Sequence, residues 1–280
     1  MEILTTRDKA AAYAGSVLEE GCTIGFVPTM GALHRGHLSL VECACRENDR
    51  VVVSIFVNPT QFNNPADLES YPRDKQQDVK ILEDFPVDMV FIPPVEEIYP
   101  EEDTRSFDLS PLDRIMEGKH RPGHFNGVAQ VVSKLFEIIR PTRAYFGKKD
   151  FQQVAVIRKL TRELGMEVEI ISCPVIREPD GLAMSSRNRL LSEKERKIAP
   201  EIARTLRKAR EKQDELSPAA LKKWVTDTLN QHPEMQVDYF EIVDDQNLNP
   251  VRSWGEQVNK VGCVAVQLGA VRLIDNIYFH

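Results

Sequence analysis

Cysteine is scarce in this 280-residue chain and odd in number: Cys22, Cys43, Cys45, Cys173 and Cys263, with no C-x-x-C pair. A disulfide-stapled build is thereby excluded, and free thiols in a reducing compartment are expected. Cys43 and Cys45 with His34 or His37 form the one conceivable metal grouping, but two residues apart on a helix the thiols face different ways. Long apolar runs are missing too. The longest, Val51–Val53 and Ile55–Val57 around Ser54, fall far short of the ~20 residues a membrane-spanning helix needs. The first eight residues, Met1 to Asp8, lack the basic and apolar regions of a signal peptide, so a cytoplasmic location and no membrane partner are expected. Basic charge is in deficit, 36 Lys and Arg against 43 Asp and Glu, which argues against a general nucleic-acid surface. Neither a G-x-G-x-x-G loop nor a Walker A loop occurs, and no repeat or low-complexity tract is visible.

What is present is a globular composition, 42% hydrophobic and 28% charged, long enough for one large or two modest domains at ~150 residues each. Up to Ile171 the pattern alternates. Helices are expected at Arg7–Glu20, Gly36–Glu47, Asp74–Glu83, Phe125–Ile139 and Asp150–Leu164, and strands at Thr23–Val27, Val51–Val57, Asp88–Ile92, Ala144–Phe146 and Glu167–Ile171. Short apolar strands separated by helices predict an α/β fold, a Rossmann-like doubly wound parallel sheet with ligands bound beyond the strand C-termini. After Pro174 the alternation stops. A charged helix from Glu193 to Asp214, interrupted at Pro200, and a helix from Ser217-Pro218 to Asn230 precede strands at Val237–Val243, Gly262–Leu268 and Val271–Tyr278. A smaller C-terminal α+β domain is expected, dividing the chain into 1–175 and 176–280.

The first strand runs into Pro28-Thr29-Met30-Gly31-Ala32-Leu33-His34-Arg35-Gly36-His37-Leu38. Gly36 allows a tight turn into a helix whose N-terminus offers free N–H groups and a positive dipole end to an anion. Imidazoles placed there can donate hydrogen bonds to phosphate oxygens as charge builds at phosphorus. Gln61 follows a strand and an Asn-Pro turn, where an amide can donate to and accept from a small acid. Val128, Val131 and Val132 share one face of a helix, either as plain core or as the wall of an apolar group. Gly147-Lys148-Lys149-Asp150 sets two ammonium groups and a carboxylate at another strand-to-helix junction, suited to phosphate and to ribose or metal, or simply a charged loop with an N-cap.

The segment Phe26 to Val41 resembles the signature of the pantothenate synthetase family (pantoate-β-alanine ligases), H-x-G-H nucleotidyltransferases related to class I aminoacyl-tRNA synthetases. The similarity recurs in family order at Val57-Asn58-Pro59-Thr60-Gln61-Phe62, Tyr71-Pro72-Arg73, Arg121-Pro122-Gly123-His124-Phe125-Asn126-Gly127-Val128, Phe146-Gly147-Lys148-Lys149-Asp150 and Met184-Ser185-Ser186-Arg187. The resemblance implies ATP-dependent condensation of (R)-pantoate with β-alanine through pantoyl adenylate, releasing AMP and pyrophosphate. It implies catalytic roles for His34 and His37, with His37 as proton donor. ATP contacts are implied for Met30, Gly31, Ala32, Leu33, His34, Arg35, Gly36 and His37, and for Gly147, Lys148, Lys149, Asp150, Ile176, Met184, Ser185, Ser186 and Arg187. The last four are similar to the K-M-S-K-S loop of the superfamily. Pantoate is implied at Gln61 and Gln153, β-alanine at Gln61, and a homodimer as the assembly.

Arg35 stands where many relatives carry an acidic residue, and its charge is expected to disfavour protonation of the imidazoles. Arg121 and His124 are candidates to reach substrate anions. Mg2+ is expected with ATP, approached by Asp78 or Asp150, with no dedicated protein ligand assigned. Two rival readings remain open at this stage. One is another H-x-G-H nucleotidyltransferase acting on a phosphorylated small molecule, which would need an added cationic pocket. The other is a nucleic-acid module using Lys194–Lys212, a segment whose interleaved acids fit a solvated face better.

Overall fold

The computed structural model describes residues 1–280. In chain order the elements are β1 (Glu2–Leu4), α1 (Arg7–Glu19), β2 (Ile24–Thr29), α2 (Arg35–Glu47), β3 (Arg50–Ile55), α3 (Pro65–Ser70), α4 (Lys75–Leu82), β4 (Met89–Phe91), α5 (Val95–Ile98), α6 (Met116–His120), α7 (His124–Ile139), β5 (Arg143–Gly147), α8 (Phe151–Glu163) and β6 (Glu169–Cys173). Then come α9 (Glu193–Ile198), α10 (Glu201–Glu211), α11 (Pro218–Leu229), β7 (Met235–Asp244), β8 (Lys260–Leu268) and β9 (Val271–Phe279), with 3₁₀ turns at Pro59–Gln61, Lys148–Asp150 and Ser186–Leu190. The expected helices and strands are all present within a few residues. The long charged helix is split at Pro200, whose missing N–H cannot continue the ladder. No helix is long and apolar enough to cross a membrane, and all five cysteines are free.

Six parallel strands form one sheet in the order β1-β4-β3-β2-β5-β6. From β2 the chain winds outward through β3 and β4, then returns to place β5 on the other side of β2. That reversal opens a crevice between the C-terminal ends of β2 and β5, where α/β sheets bind ligands. β2 and β3 are buried on both faces, as their mostly apolar, non-alternating sequences lead one to expect. The second sheet, β7-β8-β9, is antiparallel. One face packs on α10 and α11 through Leu206, Leu221 and Phe240, while Val243, Leu248, Val261 and Cys263 join the same core cluster as α7 and α8.

Candidate functional site

β2 ends at Thr29, whose hydroxyl donates to the Ser54 carbonyl (2.7 Å) and accepts from the Gly31 N–H (3.1 Å). The chain then passes through two left-handed residues, Gly31 at φ 79° and Ala32 at φ 50°. The first suits glycine, whereas the second is strained for alanine and needs an external restraint. Asp78 of α4, only 2% exposed, provides it: its Oδ2 accepts from the Ala32 N–H (2.8 Å) and its Oδ1 from the Leu33 N–H (2.7 Å). Burial pushes the Asp78 carboxyl up, and the two N–H donors pull only partly against it. With both oxygens so committed, Asp78 is not a residue that approaches a phosphate-bound ion, contrary to the sequence expectation.

The two histidines cap α2 reciprocally. His34 Nδ1 accepts from the Gly36 N–H (3.1 Å), and His37 Nδ1 accepts from the His34 N–H (3.3 Å). A Cβ on residue 36 would lie 2.8 Å from His34 Cε1 and 2.9 Å from Nδ1, so only glycine leaves room for this ring. With Nδ1 accepting in both rings, each neutral imidazole carries its proton on Nε2. The rings lie 4.1 Å apart between centroids. Burial, then the charges of Lys149 and Arg189, lowers His34 to about 4; burial, His34 and the same two cations hold His37 well below the usual histidine value. Arg35 has no part in this. Its guanidinium turns outward to Glu42 (2.7 Å), which corrects the expectation that it acts on the imidazoles.

A cavity of about 200 Å³ opens at the crevice. Met30, His34, Gly36 and His37 line it from the β2 side, Gly147, Lys149 and Asp150 from the end of β5, and Gln153 from α8. Ile176, Met184, Ser185, Ser186 and Arg187 line it from the segment after β6. Gln61 and the valine face, Val128, Val131 and Val132, complete it. Gly31, Ala32 and Leu33 stand behind the wall as the loop's frame, Arg35 faces solvent, and Lys148 leaves the cavity to rest its Nζ 5.6 Å from the Tyr278 ring centroid. Lys148 is therefore corrected from a phosphate contact to an aromatic one. Arg121 and His124 likewise lie outside, in a separate pocket of about 30 Å³.

The loop Met184–Leu190 is docked on the His34 loop. Ser186 Oγ donates to the Ala32 carbonyl (3.0 Å), and Arg189 Nη2 donates to the Leu33 carbonyl (3.2 Å). Arg187 donates through Nε (3.1 Å) and Nη2 (2.9 Å) to Asp67 of α3, with its guanidinium carbon 5.3 Å from the Tyr71 ring centroid. Ile176 accepts from the Met184 N–H (2.9 Å), which fixes the strand-like stretch beside the cavity.

Gln61 is held for use. Its Oε1 accepts from Asn58 Nδ2 (3.1 Å), whereas its Nε2 points to the weak acceptor Met30 Sδ (3.1 Å), a partner that a carboxylate or hydroxyl would displace. Sequence reasoning passed over the supporting residues. Asn58 fastens the turn to the Gly127 carbonyl (3.1 Å), and Asn276 of β9 donates to the carbonyls of Lys148 (2.7 Å) and Lys149 (3.2 Å). Asn58 lay inside a family block and Asp78 was named only as a carboxylate near magnesium, but nothing local marked the loop-holding role of Asp78 or that of Asn276. No group of three or more His, Cys, Asp or Glu side chains is assembled to hold a metal ion; Asp150, half-exposed and 3.7 Å from Lys149 Nζ, is the carboxylate lining the cavity.

Comparison with known proteins agrees in both sequence and structure. Residues 2–278 match the model of the family described as pantoate-beta-alanine ligase. The chain is 54% identical over 280 residues to pantothenate synthetase of Porphyromonas gingivalis, covering 100% of both, and 47% identical over 283 residues to that of Thermosipho africanus, covering 99% of both. Among solved structures, pantothenate synthetase of Thermus thermophilus superposes with a TM-score of 0.91 at 44% identity, covering 99% of each chain. The Francisella tularensis pantoate-beta-alanine ligase, crystallised with beta-gamma ATP and beta-alanine, gives 0.85 at 38% identity, covering 99% of this chain and 97% of that one. A cavity joining phosphate-type donors to an amide and valine wall, in a chain matched along its whole length, places it in one family: the chain belongs to the pantoate-beta-alanine ligases.

Proposed function

We propose that the cavity carries out ATP-dependent ligation of (R)-pantoate and β-alanine in two steps. A pantoate carboxylate oxygen attacks the α-phosphorus and pyrophosphate leaves; the β-alanine amine then attacks the acyl carbon and AMP leaves. The observation that carries this reading is the composition of one cavity. Its cations, Lys149 and Arg187, accompany the His34 and His37 Nε2–H donors and the α2 N-terminus, while the lining from α7, α8 and the Asn58–Gln61 turn is amides and methyl groups. The first set suits a triphosphate and the second an uncharged, branched acid body, which leaves no cationic seat for a substrate phosphate.

In this reading the imidazoles act as neutral donors. Nδ1 accepts a backbone N–H in each ring, so each presents an Nε2–H donor that stabilises charge on the phosphate oxygens. On this reading His37, for which the resemblance implies a proton donor, contributes a hydrogen bond to the developing charge. Lys149 and Arg187 balance the pyrophosphate, and Ser185 supplies a hydroxyl at the mouth of the loop. Gln61 and Gln153 orient the pantoate carboxylate and hydroxyls, with Gln61 also facing the incoming amine, and the three valines take the gem-dimethyl group. Asp150 is the residue of this chain that would face a magnesium ion brought with ATP, and such an ion would offset phosphate charge.

We assign 1–175 to nucleotide and pantoate binding and 176–280 to the part that covers the triphosphate. Because β7–β9 share a core with α7 and α8, closure is expected in the Met184–Leu190 loop rather than by swinging the whole sheet. The assembly proposed is a homodimer, to be checked by sedimentation equilibrium against the 31.9 kDa chain mass. The chemistry is tested with pantoate labelled with ¹⁸O in its carboxylate. One labelled oxygen per turnover should appear in AMP; label found in pyrophosphate or in neither product would contradict an acyl adenylate.

A further inference from the structure

The small pocket beside the main cavity contains a continuous polar chain that no step above uses. His124, buried at the start of α7, makes a 2.8 Å hydrogen bond from Nδ1 to the backbone carbonyl of Gln61. Arg121 Nη1 lies 3.1 Å from the other ring nitrogen, Nε2. A guanidinium can only donate, so Nε2 must accept, and Nδ1 must therefore carry the proton that goes to Gln61. Burial and then the Arg121 charge lower His124 to about 4, which keeps the ring in this one neutral form.

Behind Arg121 stands Glu117 of α6, also buried. Its Oε2 takes Arg121 Nη1 at 3.4 Å and Arg272 Nη1 at 2.7 Å, and its Oε1 accepts from the Tyr239 hydroxyl (2.9 Å). Arg272 is braced in turn on Asp238 (2.7 Å). Tyr239, Asp238 and Arg272 belong to β7 and β9. On the other side, Gln152 accepts from the Glu117 N–H (3.0 Å) and donates to the carbonyls of Leu112 (2.6 Å) and Ile115 (2.9 Å), tying α6 to the helix that bears Gln153. The turn carrying Gln61 is also pressed closely on α7: a Cβ on Gly127 would lie 2.3 Å from the Thr60 carbonyl oxygen.

We propose that His124 is a positioning residue for the acid-binding glutamine, and that Glu117 keys it to the C-terminal sheet through Arg272 and Tyr239. The chain Arg272–Glu117–Arg121–His124 ends on the backbone carbonyl of the residue whose amide projects into the cavity. This inference rests on the reading that Gln61 binds pantoate. A ring that only filled core volume would need neither a fixed tautomer nor a buried carboxylate behind its partner.

The geometry distinguishes two near-isosteric replacements. In His124→Asn the amide nitrogen takes the place of Nδ1 and keeps the bond to Gln61; in His124→Gln the polar end falls at the Nε2 position and that bond is lost. His124→Gln should raise the KM for pantoate roughly tenfold or more while the KM for ATP stays within about twofold, and His124→Asn should restore most of the pantoate KM. Equal rises in both KM values, an unchanged pantoate KM in a folded His124→Gln protein, or no rescue by His124→Asn would each overturn the proposal. Gln61→Ala separates the two levels: if it leaves the pantoate KM unchanged, the reading of Gln61 itself fails, whereas a raised KM there with none in His124→Gln refutes only the positioning role. Should His124→Gln not fold, ¹⁵N NMR of the wild-type ring decides. A protonated Nδ1 and bare Nε2 at pH 7 are expected, and a protonated Nε2 would contradict the chain.

Discussion

Asp78→Asn tests whether the site is built by a residue that touches no substrate. The carboxylate holds the Ala32 and Leu33 N–H groups with one oxygen each, at 2.8 and 2.7 Å, across a turn that includes the left-handed Ala32. Asparagine keeps one acceptor but presents an NH₂ to the other backbone N–H. One hydrogen bond to a charged group is lost, about 1.5–3 kcal/mol, and a buried donor is left unpaired. Part of that is offset, because burial opposes the Asp78 charge and the amide has none. The net expectation is a loss of about 1–3 kcal/mol, read as a lower midpoint in urea with an unchanged slope. The larger effect should be functional. With the restraint gone, the loop that orients His34 and His37 relaxes, and a displacement near 1 Å costs on the order of 100-fold in rate. Pyrophosphate exchange measured beside the unfolding curve gives both numbers. Stability within about 0.5 kcal/mol of wild type and exchange within twofold would refute the reasoning.

Four further outcomes follow from the same geometry. His37→Ala should slow adenylation by roughly 100-fold, the scale of one lost charge-stabilising donor, while the protein stays folded with a melting temperature lowered by a few degrees for the lost cap on the His34 N–H; single-turnover quench-flow and a melting curve check it. Arg35→Glu, by contrast, should leave exchange within about twofold, since its partner is Glu42 on the solvent side. Asp67→Ala frees Arg187 from a partly exposed pair of about 0.2–1 kcal/mol and should lower the ATP KM by up to roughly fivefold in steady-state assays. Stability should fall between pH 6.5 and 5, because His34, His37 and His124 stay neutral when folded and take up protons only on unfolding. For His124 the loss at pH 5 is about 2 kcal/mol, partly opposed by Asp78 and Asp275, whose carboxyls are raised; urea curves at both pH values, with His124→Asn showing a shallower dependence, measure it.

Much of this architecture was legible in the chain because its signals are local. Apolar runs such as Val51–Val53 mark strands buried on both faces, and Pro200 marks a helix break. His34 and Gly36 announce a cap whose geometry follows from three neighbouring residues. Other features carried no local signal. β1 is three residues long, too short for any period, and is a strand only because β4 offers it a partner. The helices α3, α5 and α6 span four to six residues and take their place from tertiary contacts. Asp78 reads as one more acid on a surface helix until α4 is folded against a loop more than forty residues upstream. Arg35 and Lys148 show the reverse error: each sits inside a motif, and each points away from the cavity because a nearer partner, Glu42 or Tyr278, takes its charge.

The central claim is that pantoate alone, before any amine arrives, is activated in the cavity bounded by His34, His37, Lys149, Arg187 and Gln61. Isotope exchange between pyrophosphate and ATP, with magnesium present and β-alanine absent, measures that step directly. Exchange that requires pantoate is the predicted result. Exchange without pantoate, or none while the complete mixture forms AMP and amide, would contradict a freely reversible adenylation preceding the amine.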